Sequence, residues 1–381
     1  FSEGLLAVFF LLVGLEIRRE STAGGLAEPR AALLPVIAAV GGCVMPSLSY
    51  LALNRGATAP GWSVPTATDI AFVLGILALL GNRVPASLRV FIAAFAVMDD
   101  ILSVLTLAIF YPHNFEAAWL IAAAGAILAM FVLNRARVYV LWPYLIVGAV
   151  LWFFLHSAGV HGALAGVVLA GFLPTRPAPD AAPLLAPAAN ALSALEYAQA
   201  KAEELGREEP DGDLVLDWAS RNLSAAAERL LSPADRVERA VAPWSTYLAL
   251  PLFAFSAAGV GLNANLSVPG ADDMILGVIL GLIVGKPVGI GLASLAAIKA
   301  GIARAPKGVG IQTFIGAICL CGIGDTVSLL LADQAFPNGD EAAIAKIGVL
   351  IGSLLAAIVG AAIIIAGTGK IILSEETPAS A

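Results

Sequence analysis

The stretch VFIAAFAVMDDILSVLTLAIFY, residues 90–111, places two adjacent carboxylates near the middle of an apolar run long enough to cross a lipid bilayer. A charged carboxylate at the centre of a bilayer costs about 2.5–3.5 kcal/mol, so Asp99 and Asp100 together would cost about 5–7 kcal/mol if both were ionised and unpartnered. Ionisable residues at this depth usually face a partner or a water-filled cavity inside the protein. The stretch therefore predicts a transmembrane helix that carries a functional site.

The composition of the whole chain indicates the class of protein. Of 381 residues, 59% are hydrophobic and 13% are charged, and the mean hydropathy is +0.90. Soluble domains average about 45–50% apolar and about 25% charged residues, so we expect an all-α polytopic membrane protein. The formal net charge of −7 does not indicate nucleic-acid binding, because 12 of the 28 acidic residues lie in one polar stretch, residues 176–241.

The apolar segments predict about eleven transmembrane spans. They are residues 3–17, 31–53, 62–80, 88–111, 117–134, 138–155, 159–173, 240–258, 274–298, 311–335 and 343–367. With eleven spans, Arg55 alone faces the side opposite to the other basic residues outside the spans, and the positive-inside rule makes the common side cytoplasmic. Fusion of the two short segments around Gly159 would move Lys299, Arg304 and Lys307 to the opposite face, so we expect two separate spans.

The first residue, Phe1, stands directly in an apolar segment, with no initiator Met and no charged region before it. We expect that the natural N-terminus, with a further helix, lies upstream; cleavage of a signal peptide is the alternative. The predicted organisation is N-terminal spans in 1–175, a polar cytoplasmic insertion in 176–231, C-terminal spans in 232–370 and a cytoplasmic tail in 371–381.

The insertion 176–231 opens with clustered Pro and Ala and contains two short helical patterns, 189–206 and 213–231. Low complexity of this kind predicts a mobile linker, with a regulatory module as the alternative. The next helix is predicted to begin with an N-cap, a proline in the first helical position and an acid three residues after the cap, which are Ser232, Pro233 and Asp235.

Three further ionisable residues lie inside apolar segments: Asp69 in VPTATDIAFVLG, Lys286 in LIVGKPVGIG and Asp325 in CLCGIGDTVSLLL. The segments of Asp69 and Asp325 are interrupted by Gly, Pro or Thr, one in each half of the chain. This pattern predicts inverted repeats with two broken crossing helices and a site at the bilayer midplane. Lys286 is the one cation deep in the membrane and therefore the natural counter-charge. GKPVG is not a phosphate-binding loop, because the glycine spacing and the Ser or Thr after Lys are absent.

Carboxylates, Thr hydroxyls and freed backbone carbonyls are the oxygen ligands that a hard cation such as Na⁺ requires. Two neighbouring buried carboxyl groups also titrate as a coupled pair, so they can hold a proton. Protons and a cation then compete for the same oxygens, and this competition is a mechanism of exchange. The alternative is a structural ion pair that stabilises the broken helices, and Asp69 in particular suits a structural role.

Several motifs resemble the NhaA-type Na⁺/H⁺ antiporters over nearly the whole chain except the insertion. They are AVFFLLVGLEIRRE, ATDIAFVLGILALLG, VMDD, SAGVHGALAGV, LPLFAFSAAGV, GKPVGI and LCGIG. The resemblance implies that Asp100 is the principal cation ligand, that Asp99 is alternately paired with Lys286, and that Thr68 and Asp69 lie at the crossing of the broken helices. It implies a cytoplasmic pH-sensing group that comprises Glu16, Arg19, Glu20 and Glu238. His161 either senses pH as well or is an ordinary polar cap at the start of a helix.

The same resemblance implies a function. The chain would exchange cytoplasmic Na⁺ or Li⁺ for external H⁺, electrogenically and under pH regulation, without a cofactor. It would be a multi-pass protein of the bacterial inner membrane, with the insertion and the C-terminus in the cytoplasm.

The chain also departs from the family pattern. The first family helix and the hairpin that contributes to dimer contacts have no counterpart, which puts a homodimer in doubt. Arg239 and Ala242 stand where familiar members carry histidines, which weakens any carried-over pH threshold. Asp325 stands where an aromatic residue is usual, and it either pairs with Lys286 as a third titrating group or has a local structural role beside Gly322 and Gly324.

Two rival functions share some of these features. A cation channel would also line its path with acids, but it needs neither a lysine counter-charge nor paired broken helices. A Na⁺-coupled solute symporter could share the inverted repeat, but it would need room and donors for an organic solute. An enzyme is not expected, because the sequence shows no nucleophile–base pair and no metal cluster.

Overall fold

Every regular secondary-structure element in the described part of the chain is a helix. The computed structural model describes residues 2–23, 29–111, 116–159, 162, 164–175, 189–197, 200, 217–224, 231–244, 248, 252, 269–306, 308–324, 326–337 and 340–367. The main helices are α1 (Ser2–Ala23), α2 (Pro29–Leu53), α3 (Ile70–Leu79), α4 (Ala86–Phe110), α5 (Ala117–Arg135), α6 (Trp142–Ser157), α7 (Leu164–Phe172), α8 (Pro233–Trp244), α9 (Ala271–Leu280), α10 (Lys286–Lys299), α11 (Ile311–Leu320), α12 (Thr326–Ala335) and α13 (Glu341–Gly367). Shorter pieces are the 3₁₀ segments Gly56–Thr66 and Gly81–Arg83 and the π-helical Gly281–Gly285.

Within these residues, five helical stretches are long and apolar enough to cross a membrane: Leu33–Leu53, Ala86–Phe110, Ala118–Arg135, Ala271–Lys299 and Glu341–Gly367. A sixth span results if Gly56–Thr66 and Ile70–Leu79, which are bent by 47° at a short break, cross together. The expected all-α polytopic membrane protein is confirmed at this level, whereas the number eleven stays a prediction.

One compact unit comprises residues 1–15 and 116–249. Its α7 packs directly on α1, because Gly166 has no Cβ, which would otherwise collide with the backbone of Ala7 and Leu11. Helix α6 ends just before Gly159, whose φ of +75° interrupts the helix, so α6 and α7 are separate helices; that each is a separate span stays a prediction. The buried core contains Met130, Tyr144, Leu151, Leu169 and Leu173.

In the insertion, residues 189–197 and 217–224 are helical, in agreement with the two predicted patterns. The predicted start of α8 is also confirmed, because the Asp235 backbone N–H donates to Ser232 Oγ at 3.1 Å and Ser232 Oγ donates to Asp235 Oδ2 at 2.7 Å. The predicted domain boundaries stay predictions, since 176–188, 225–230 and 368–381 lie outside the described residues.

The other compact unit comprises residues 16–115 and 250–381. In it α10 lies against α2 at Gly41 and Gly289, where a Cβ on either glycine would collide with the carbonyl oxygen of the other. Small residues allow two helix backbones to approach in this way. This contact lies one helical turn from Lys286. The buried core around it includes Leu88, Ile92, Phe95, Ile290 and Leu320.

Two helices of this unit are interrupted, as the Gly, Pro and Thr content predicts. The first break separates the 3₁₀ segment Gly56–Thr66 from α3, and its Ala67 and Asp69 have extended backbone angles. The second break separates α11, which ends at Leu320, from α12, which begins at Thr326. Each break frees backbone N–H and C=O groups from helical hydrogen bonds, so both need partners from elsewhere.

Candidate functional site

Helix α4 presents the two adjacent carboxylates to different surroundings. Neighbouring residues of an α-helix project about 100° apart, so their side chains point in different directions. Asp99 is 1% exposed, whereas Asp100 is half-buried. The expectation that the pair lies inside the protein is therefore correct for Asp99, and Asp100 is the more accessible of the two carboxylates.

Lys286 supplies the counter-charge to Asp99. Its side chain is fully buried, and its Nζ donates to Asp99 Oδ2 at 3.0 Å and to the backbone carbonyl of Thr66. The lysine begins α10 immediately after the π-helical turn, and such turns often occur at functional sites. Gly281 of that turn faces Pro65, where an added Cβ would collide, so α10 lies close to the first broken helix.

The other oxygen of Asp99 remains an available acceptor. Asp99 Oδ1 is buried and accepts no hydrogen bond that meets ordinary geometry from the described residues, although Thr68 lies within interaction range of the carboxylate. A buried carboxylate oxygen without a donor is costly, and it is a natural ligand for a proton or a cation. The site therefore contains one oxygen that holds Lys286 and one that can take another positive species.

The two breaks contact each other beside this pair. Thr68 Oγ1 donates to the carbonyl of Cys321 at 2.9 Å, and the backbone N–H of Asp69 donates to the carbonyl of Ile323 at 2.8 Å. Thr68 and Asp69 thus join the two breaks, and their part in a cation site stays a prediction. The Asp69 side chain caps α3 by accepting from the Phe72 N–H at 2.9 Å, which is the structural role considered for it.

The residues predicted to sense pH lie on two helices, α1 and α8. Glu16 and Arg19 are exposed residues of α1 in the same unit as the site, and Glu238 is half-buried on α8 of the other unit. The side chain of Glu20 lies outside the described residues, as do Asp325 and His161 altogether. Their assigned roles stay predictions.

The structure also shows polar groups that the sequence analysis missed. Lys346 is 7% exposed inside the span Glu341–Gly367, and its Nζ lies 2.6 Å from Asp333 Oδ1. Lys346 is therefore a second buried lysine, close to the start of its span at Glu341, and the position of Lys286 as the one cation deep in the membrane stays a prediction. Lys346 could have been found from the sequence, because it stands within the apolar run AIAKIGV. The Thr66 carbonyl could not have been predicted as an acceptor for Lys286, because every residue carries a backbone carbonyl.

In the described part of the chain, no group of three or more His, Cys, Asp or Glu side chains is arranged to hold a metal ion. The oxygens that could take a hard cation here are instead the Asp99 and Asp100 carboxylates and the Thr68 hydroxyl, which lies between Asp99 and the second break. Such a set suits an ion that binds and leaves, since transported cations are coordinated by unwound backbone and nearby side chains.

Comparison with known proteins identifies the family. The family described as "Na+/H+ antiporter 1" matches residues 1–364. The chain is 41% identical to the Na(+)/H(+) antiporter NhaA of Nitrosospira multiformis over 95% of its length, and it spans 59% of that longer relative. It is 42% identical to the protein of the same name from Oleidesulfovibrio alaskensis and 40% identical to that of Helicobacter pylori strain J99, covering 78% and 80% of those chains and 93% and 94% of its own. The chain therefore belongs to the Na⁺/H⁺ antiporter 1 family.

Proposed function

We propose that this protein is a secondary active antiporter that exchanges cytoplasmic Na⁺, or Li⁺, for external H⁺. One observation carries the proposal: the fully buried Lys286 pairs with one oxygen of Asp99, while the other oxygen accepts no hydrogen bond of ordinary geometry from the described residues. Membership of the antiporter family and the relatives named NhaA support the same activity.

The arrangement couples cation binding to proton release through charge. A cation that takes the oxygens of Asp99 and Asp100 competes with the ammonium of Lys286 for the same carboxylate. An ammonium left without a partner in a dry interior is costly, so Lys286 then favours its neutral form and gives up a proton. When the cation leaves, the ion pair forms again and a proton is taken up. Asp100, which is more accessible, is the residue from which a second proton can leave.

Neutral oxygens complete the proposed cation site. The Thr68 hydroxyl donates to Cys321, so its oxygen keeps lone pairs that can point to a cation. The contact between the two breaks supports the further proposal of two inverted repeats whose broken helices cross at the bilayer midplane. The clean separation of α6 and α7 supports eleven spans, with residues 176–231 and the C-terminus in the cytoplasm of a bacterium.

Regulation and assembly complete the proposal. Glu16, Arg19, Glu20 and Glu238 form the proposed pH-sensing group, with His161 as a further candidate. A homodimer is also proposed, as an assembly compatible with the family. Asp325 is proposed either to pair with Lys286 or to serve the local structure of the second break.

The direct test uses everted membrane vesicles that contain the protein and a pH-sensitive dye. After respiration acidifies the interior, addition of Na⁺ or Li⁺ should restore the dye fluorescence, whereas K⁺ should not. The Asp100→Asn variant keeps the shape of the side chain but loses the anionic ligand and the titratable proton, so its response to Na⁺ should be abolished while the protein still inserts. An equal response to K⁺, or a Na⁺ current that persists without any pH change, would instead indicate a channel.

A further inference from the structure

The second break needs hydrogen-bond partners for each of its backbone groups. The N–H groups of Gly322 and Ile323 donate to carbonyls at the end of α11, at 3.0 Å each. The carbonyls of Cys321 and Ile323 accept from Thr68 and Asp69 of the first break. The N–H of Gly324, next along the chain, has no such backbone partner in the described residues, so its acceptor must come from a side chain.

That acceptor is Ser353 of α13. The Gly324 N–H donates to Ser353 Oγ at 3.0 Å. The hydroxyl in turn donates to the carbonyl of Val349, four residues back, at 2.6 Å, with the Gly324 carbonyl as the weaker alternative at 3.5 Å. A single hydroxyl thus links the middle of α13 to the backbone of the break, 29 residues away in sequence.

The approach of α13 to the break is close at this point. A Cβ on Gly324 would lie 2.9 Å from Val349 Cγ1 and 3.2 Å from Ser328 Oγ, so a larger residue would not fit here without a shift of its neighbours. Movement of Gly324 away from α13 would lose the hydrogen bond to Ser353.

We propose that Ser353 is a positioning residue of the cation site. By fixing Gly324, it holds the carbonyls of Cys321 and Ile323 where Thr68 and Asp69 meet them, and so it sets the geometry of the oxygens around the transported ion. This inference rests on the proposed exchange function. It assigns to α13, which supplies none of the charged groups of the site, a part in the affinity for Na⁺.

The position of this hydrogen bond distinguishes it from general packing of α12 on α13. The Lys346–Asp333 pair already joins the same two helices at the far end of α12. Lys346, Val349 and Ser353 follow the spacing of one helix face, so α13 contacts the second broken helix at both ends. Only the Ser353 end touches the break that contacts Thr68 and Asp69.

The test compares Ser353→Ala with Ser353→Thr and Ser47→Ala in the vesicle assay, over a range of Na⁺ concentrations. Ser47 also donates to the carbonyl four residues back, Cys43, at 2.7 Å, but it bonds to neither break, so it is a matched control for loss of a helix hydroxyl. We expect Ser353→Ala to raise the half-saturating Na⁺ concentration about five- to tenfold, the change that corresponds to one net hydrogen bond. Ser353→Thr should restore it, and Ser47→Ala should not change it.

A second measurement does not depend on transport. Amide hydrogen exchange of a peptide that contains Gly324 should be faster in Ser353→Ala than in the wild type, with no change in Ser47→Ala. If Ser353→Ala does not insert, Ser353→Cys replaces it, because a thiol is a weak acceptor and predicts the same direction of change.

The outcomes separate the two proposals. If the wild type shows no Na⁺-dependent proton movement, the proposed function fails. If the wild type exchanges Na⁺ and Ser353→Ala has the same half-saturating concentration, or Ser47→Ala shifts it equally, the positioning role of Ser353 is refuted while the exchange function stands.

Discussion

Lys286 is fully buried, and two of its three N–H donors are taken up by the Asp99 carboxylate and the Thr66 carbonyl. Removing a charged group from water costs several kcal/mol even after relaxation, and only a well-placed opposite charge with additional hydrogen bonds offsets this cost. Each charge of the pair therefore depends on the other. Neutralising one partner leaves an unpaired charge in the interior, which is what makes the pair responsive to an arriving cation.

This dependence predicts the effect of Asp99→Asn on stability. Loss of the carboxylate charge leaves Lys286 unpaired, and we expect destabilisation of about 3–5 kcal/mol, the usual cost of breaking a buried ion pair from one side. Removing the stranded charge as well, in Asp99→Asn/Lys286→Met, should recover much of the stability. Thermal melting in detergent measures both. A double variant that melts no higher than the single variant would contradict the assignment of the stability loss to the unpaired lysine.

The charged residues of the site can be identified from the sequence, but their geometry cannot. Asp99, Asp100 and Lys286 stand out because a charge in an apolar run requires an explanation. That Asp99 is buried and Asp100 half-buried depends on the rotation of α4 about its axis, which tertiary packing sets. The Thr66 carbonyl could not be identified because it has no distinctive chemistry until the break exposes it.

The pairing of α2 with α10 determines where the lysine lies. Gly41 and Gly289 allow backbone contact, and Lys286 stands one turn before Gly289 on the same helix. A side chain at this crossing would push the helices apart and move the start of α10 away from Asp99. The Lys286–Asp99 ion pair thus depends on the close contact between Gly41 and Gly289, although neither glycine takes part in it.

Gly289→Ala tests this contact. We expect destabilisation of about 1–3 kcal/mol from overpacking, together with a reduced rate of exchange, because the added methyl group meets the carbonyl of Gly41. Gly291→Ala is the matched control on the same helix, since its methyl group would lie 3.3 Å from the flexible end of Ile318. Melting temperature and exchange rate should be little changed in the control. Equal effects of the two substitutions would argue against a special role of the Gly41 contact.

Most helices could be located from hydropathy, and their predicted ends agree with the structure within a few residues in α2, α4, α5 and α13. The first broken helix begins earlier than predicted, at Gly56 rather than residue 62, because a 3₁₀ segment that contains Pro60 and Pro65 precedes the apolar run. The π-helical turn before Lys286 was not predicted. Its hydrogen-bond register depends on packing against Pro46 and Pro65, which composition does not reveal.

At the scale of the whole molecule, the number of charges moved in each cycle decides which gradient drives transport. If one Na⁺ leaves as protons from both Lys286 and Asp100 are exchanged, net charge crosses the membrane. Each elementary charge is then worth about 2.3 kcal/mol per 100 mV of membrane potential. The inward proton gradient and the potential would together expel Na⁺.

A potential imposed by K⁺ and valinomycin tests this stoichiometry. In vesicles we expect the rate of Na⁺/H⁺ exchange to change with the sign and size of the imposed potential. Vesicles clamped at zero potential are the control for direct effects of K⁺ and ionophore. A rate indifferent to the potential would indicate neutral exchange, with one proton for each Na⁺, and would remove either Lys286 or Asp100 from the set of residues that release protons.

The full burial of Lys286 affects the protein when it is not transporting. Between turnovers, a positive charge fixed in a dry interior repels any cation that enters without displacing it. A cation that takes the Asp99 oxygen held by Lys286 has to displace the ammonium and force a proton off, so passage without exchange is disfavoured. We expect a membrane densely populated with this transporter to remain electrically tight, so that a bacterium can keep the protein in place permanently without dissipating its proton-motive force.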